Sequence, residues 1–72
     1  MENNIKDLRA KYDFSQDVLA EKLGVSRQTI ISLEKGRYNP SITLAFKLAL
    51  LFKCQIEDIF IYEEENRWTT KG

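Results

Sequence analysis

Seventy-two residues suit a single domain, near the smallest size at which an apolar core holds without disulfides or metal. With 43% hydrophobic and 31% charged residues the chain is neither disordered nor membrane-embedded, no apolar run reaches the roughly 18 residues of a membrane span, and Met-Glu-Asn-Asn is not a signal peptide, so a cytoplasmic location is expected. Net charge is zero but uneven: residues 1–53 hold nine Lys/Arg against six Asp/Glu, hence +3, and residues 54–72 two against five, hence −3, which points to one basic functional face and an acidic tail elsewhere.

Asn3 or Asn4 can cap a first helix over about residues 4–12, whose apolar stripe is Ile5, Leu8 and Tyr12. Asp13-Phe14 breaks that pattern, and Ser15 caps a second helix with Leu19, Ala20 and Leu23 inward. Asp17 lies in its first turn, where the helix dipole favours a negative charge. Gly24 suits a left-handed helix end, and only Val25 separates it from the next cap, Ser26. From Ser26 to Gly36, with Ile30 and Leu33 three apart, the sequence predicts a helix of about 2.5 turns. Two short helices joined by so tight a turn form a helix-turn-helix over residues 16–35.

Pro40 biases Asn39 away from helix, and Ser41 caps a fourth helix. From Ile42 to Phe52 only Thr43 and Lys47 are polar, so this helix is expected to be largely buried. Lys53 ends it. Ile56 to Phe60 reads as a last helical turn or two, with Ile56, Ile59 and Phe60 inward. The remainder is expected to be extended, Ile59 to Tyr62 being β-prone enough for a short strand. The result is an all-α fold of five helices, with a domain over residues 1–62 and an acidic, polar tail over 63–72.

Catalytic chemistry has little material here. Histidine, a glycine-rich phosphate loop and a Cys/His cluster are all absent from the sequence, so neither an enzyme nor a metal or other cofactor is expected. Cys54 follows an apolar helix and reads as a small buried hydrophobe. Glu57, Asp58 and Glu63 to Glu65 read as a solvated acidic surface rather than a cation site.

The third helix is better equipped. Arg27, Gln28 and Thr29 offer hydrogen-bonding groups at its first turn: Arg27 can donate twice to guanine O6 and N7, and Gln28 can pair with adenine N7 and N6. One turn later Ile31 and Ser32 lie near the same face, Ile31 suited to a thymine methyl. Gln16, Lys35, Arg37, Tyr38 and Asn39 flank the unit, where contacts to phosphate set position without reading sequence. Double-stranded DNA is the expected partner.

Ser-Gln-Asp-Val-Leu-Ala-Glu-Lys-Leu-Gly-Val-Ser-Arg-Gln-Thr-Ile, with Glu-Lys-Gly-Arg-Tyr-Asn-Pro-Ser and Leu-Ala-Phe-Lys-Leu-Ala, resembles the XRE family of phage-repressor and Cro-type regulators. The similarity spans about residues 5–60 and is strongest to small stand-alone bacterial members of the cytolysin repressor type. The resemblance implies a five-helix, lambda-repressor-like fold and dimeric binding to an inverted-repeat operator, usually to repress. It places Arg27, Gln28 and Ser32 at bases, Gln16, Ser26, Tyr38 and Asn39 at phosphates, and Arg9 with Glu34 in a largely buried ion pair.

This sequence departs from the family pattern at three positions. Lys53 stands where glycine commonly stops the helix, and Ile31 and Leu50 are apolar where polar residues are usual. Exposed apolar groups mark interfaces, so Leu50, the last helix and Ile61-Tyr62 are expected to form a homodimer contact, with Trp68 packing across it. The alternative is an antitoxin-like module that uses this scaffold to bind another protein. No small-molecule substrate is indicated.

Overall fold

A computed structural model describes residues 2–61, in the order β1 (Glu2–Asn3), α1 (Ile5–Tyr12), α2 (Gln16–Leu23), α3 (Arg27–Glu34), α4 (Ile42–Phe52), α5 (Ile56–Ile59) and β2 (Phe60–Ile61). Three helices start at serines. The hydroxyls of Ser15, Ser26 and Ser41 accept from the backbone N–H of Val18, Thr29 and Leu44 at 3.0, 3.2 and 3.1 Å, each satisfying a donor that the helix itself leaves unpaired. α1 is started differently: the side-chain oxygen of Asn3 accepts from the Ile5 N–H at 3.1 Å.

The first four helices stop by one device, a left-handed residue whose neighbours close a pair of crossed backbone bonds. After α2, Gly24 N–H donates to Glu21 and Val25 N–H to Ala20; after α3, Gly36 donates to Leu33 and Arg37 to Ser32. The same pair follows α1 at Asp13-Phe14 and α4 at Lys53-Cys54, but there the left-handed residues are Asp13 (φ 62°) and Lys53 (φ 55°). Lys53 therefore keeps the turn that a glycine would make, at a cost of about 1–2 kcal/mol for its Cβ.

Ile5, Leu19, Leu23, Ile30, Leu33, Leu48, Phe52 and Ile59 fill one core drawn from all five helices. Full burial of each such side chain contributes roughly 1.5–3 kcal/mol, so this cluster dominates stability. Tyr12, Phe14 and Phe52 close one end, with ring centroids 5.5 to 6.2 Å apart, and the Tyr12 hydroxyl donates to the Phe52 carbonyl at 2.9 Å. That bond satisfies a carbonyl that α4 leaves unpaired at its end.

Two features depart from the sequence-based expectation. β2 occupies part of the β-prone stretch, but its antiparallel partner is the chain's own start, Glu2 opposite Ile61 and Asn3 opposite Phe60. Second, α4 is not largely buried. Leu44, Ala45, Leu48, Ala49 and Phe52 face the core, whereas Ile42, Phe46 and Leu50 are 72%, 54% and 79% exposed. Spaced four apart, those three form a stripe on the outer face, of which the sequence-based expectation left only Leu50 exposed. Tyr62, Glu63 to Glu65 and Trp68 lie outside the described residues.

Candidate nucleic-acid interface

α2 and α3 meet through Leu19, Ala20 and Leu23 on one side and Ile30 and Leu33 on the other, all buried. Anchored by that inner face, α3 turns Arg27 and Gln28 to solvent at its first turn, with Thr29, Ile31 and Ser32 half-buried beside them and Lys35 exposed at its end. Beyond Gly36, Arg37, Tyr38 and Asn39 are exposed on the loop to α4. Ser26, Gln28, Thr29, Ser32 and Tyr38 line an open cleft along this face, so the structure brings candidate base and phosphate residues to one surface.

Several of these side chains already have protein partners. The Ser26 hydroxyl caps α3 and lies 3.0 Å from the Thr29 hydroxyl. Gln16, at the start of α2, donates from Nε2 to Glu34 Oε1 at 3.1 Å, which leaves its second amide N–H for another acceptor. Glu34 is the hub of this cluster. Arg9 Nε donates to its Oε2 at 2.6 Å and Arg9 Nη2 to its Oε1 at 3.3 Å, while Arg9 Nη1 donates to the Phe14 carbonyl at 3.0 Å. With side chains only 16% and 9% exposed, this bidentate pair fixes the end of α3 against α1 and the α1–α2 turn.

Arg27 is held quite differently: its Nε lies 3.7 Å from Asp17 Oδ1, and the side chains are 62% and 74% exposed. The sequence presents Asp17 only as a helix-dipole residue; the contact depends on how α2 and α3 cross.

Among the described residues no group of His, Cys, Asp and Glu is arranged to hold a metal. Cys54 is half-buried, and burial first, then the Asp58 carboxylate, push its thiol above its ordinary pKa against a smaller opposing effect of Lys11. A thiol held in that way is a poor nucleophile at neutral pH. No helix among the described residues is long and apolar enough to cross a membrane.

The sequence model of the helix-turn-helix family matches residues 5–59, which takes in α1 to α5. The chain belongs to this family, in its XRE branch. An uncharacterized HTH-type transcriptional regulator of Methanocaldococcus jannaschii is 58% identical over 66 residues, which cover 92% of this chain and all of the relative. The transcriptional repressor RstR of the cryptic phage CTXphi from Vibrio cholerae is 31% identical over 64 residues, 89% of this chain and 58% of that protein. Among solved structures, the restriction-modification controller protein C.AhdI of Aeromonas hydrophila superposes with a TM-score of 0.68 at 29% identity, over 76% of this chain and 83% of that one. This XRE-type protein is thus a transcriptional regulator with a helix-turn-helix DNA-binding domain.

Proposed function

We propose that the protein is a sequence-specific repressor that binds an inverted-repeat operator as a homodimer. In this reading α3 enters the major groove, with Arg27, Gln28, Thr29, Ile31 and Ser32 toward base edges. Gln16, Ser26, Lys35, Arg37, Tyr38 and Asn39 hold phosphates on either side. The observation that carries it is the exposure of Arg27 and Gln28 at the front of a helix whose back is locked into the core. The naming of the CTXphi relative as a repressor supports the sign of regulation.

Dimerisation is assigned to the stripe Ile42, Phe46 and Leu50 together with Ile61, which is 40% exposed on β2. Phe46 and Leu50 also line an open groove with Cys54 and Ile56. An apolar surface of this kind, left to solvent in a 72-residue chain, is what a second copy would cover. Two recognition helices about 34 Å apart then reach successive major grooves.

Selection of bound sequences from a random duplex library, followed by affinity measurement on the selected operator and on random DNA, tests the proposal. Arg27→Ala is expected to weaken operator binding by about 10- to 100-fold while leaving random DNA within a few-fold, as loss of a bidentate base contact requires. Equal losses on both would remove Arg27 from base reading. Asn39→Ala is expected to weaken both equally.

The same apolar stripe favours a second reading, a module that binds a different protein. Salt titration separates the two: affinity that falls steeply with salt belongs to the DNA-binding reading, and an absence of DNA binding to the other.

A further inference from the structure

Resting on the base-reading role proposed above for Arg27, we infer that Asp17 is a specificity-determining residue that positions Arg27 for guanine without touching DNA bases itself. The two arginines of this region show the difference between a structural and a poised guanidinium. Arg9 uses all three of its nitrogens inside the protein and is largely buried. Arg27 is met at Nε alone, by Asp17 Oδ1 at 3.7 Å, and stays mostly exposed.

Nε is the inner nitrogen of the guanidinium. Engaging it leaves the Nη1 and Nη2 fork open, and the fork is the part that donates to guanine O6 and N7 together. Among the described residues Asp17 is the one acidic group within ion-pair distance of Arg27. It reaches Arg27 from α2, across the turn that Gly24 makes. At 3.7 Å this is a charge contact rather than a hydrogen bond, and it draws the side chain of Arg27 toward the neighbouring helix.

The charge has a second effect. A carboxylate at the start of α2 lies next to Gln16, on the edge proposed to face phosphate, where a negative group opposes binding to any duplex. It also partly neutralises Arg27 as a general phosphate clamp. Both effects favour the one sequence that offers guanine to the fork, at the expense of overall affinity.

The alternative is a helix-dipole residue that slightly stabilises α2 and adds nothing to recognition. Asp17→Asn separates the two, with the operator selected by the wild-type protein and the base position identified as the one whose preference Arg27→Ala abolishes. At that position the preference for guanine over other bases is expected to drop about fivefold in Asp17→Asn, while binding to random DNA rises about two- to threefold. In the Arg27→Ala background Asp17→Asn is expected to leave discrimination unchanged, and thermal unfolding shows whether either variant is misfolded.

Uniform strengthening on every sequence with discrimination intact would overturn the positioning role and leave Arg27 as a base reader. An Asp17→Asn effect on discrimination that persists without Arg27 would also overturn it. A selected motif indifferent to Arg27→Ala, or no motif at all, would overturn the proposed function along with it.

Discussion

Lys53 and Asp13 sit in left-handed backbone that glycine adopts freely, and each closes the same crossed pair of bonds that Gly24 and Gly36 close. Aspartate tolerates this conformation through its short polar side chain; lysine has no such compensation. Lys53→Gly is therefore expected to raise stability by about 0.5–1 kcal/mol in urea denaturation, since relief of the Cβ clash exceeds the entropy glycine adds to the unfolded chain. Glu34 is the opposite case, a residue whose replacement has no compensation. Glu34→Gln would leave the guanidinium of Arg9 largely buried without its counter-charge, and a loss of about 3 kcal/mol is expected in the same measurement.

At the level of elements, α3 and α4 use amphipathicity for different ends. α3 buries Ile30 and Leu33 and turns polar groups outward, so its exposed face carries chemistry. α4 is apolar on both faces, and only one of them meets the core. Leu50→Lys changes a side chain that is 79% exposed and is expected to leave the fold intact while shifting the sedimentation equilibrium of the proposed dimer toward monomer. An unchanged dimer would place the contact elsewhere. The start and stop of both helices were legible from single residues, Ser26 and Gly36 for one and Ser41 and Lys53 for the other. That Ile42 and Phe46 join Leu50 on the open face of α4 was not, because eleven residues with only two polar ones satisfy a buried and a half-exposed helix equally well.

For the whole molecule, the joining of the two chain ends matters most. β1 pairs with β2 at Glu2–Ile61 and Asn3–Phe60, and the side chain of Asn3 reaches past the sheet to donate to the Leu33 carbonyl of α3 at 2.7 Å. Asn4 adds bonds to the Ile59 and Asp58 carbonyls. The end of α3 is thus held both by Arg9 through Glu34 and by the sheet through Asn3, two ties from parts of the chain remote in sequence. Asn3→Ala removes the bond to Leu33 and the one that starts α1, and a loss of about 1–2 kcal/mol is expected. Amide hydrogen exchange at the end of α3 should speed up more than in α2; a uniform increase would deny Asn3 a specific hold on α3.

From sequence alone the five helices, three serine caps, the two glycine stops and the outward set Arg27 and Gln28 could be read, because caps, left-handed turns and helical spacing act within a few residues along the chain. Tertiary structure decided the pairing of the termini, the open stripe of Ile42, Phe46 and Leu50, and the partners of Gln16 and Arg27. Each of those depends on which distant surfaces come to lie together, and loop closure and packing settle that only when the core has formed.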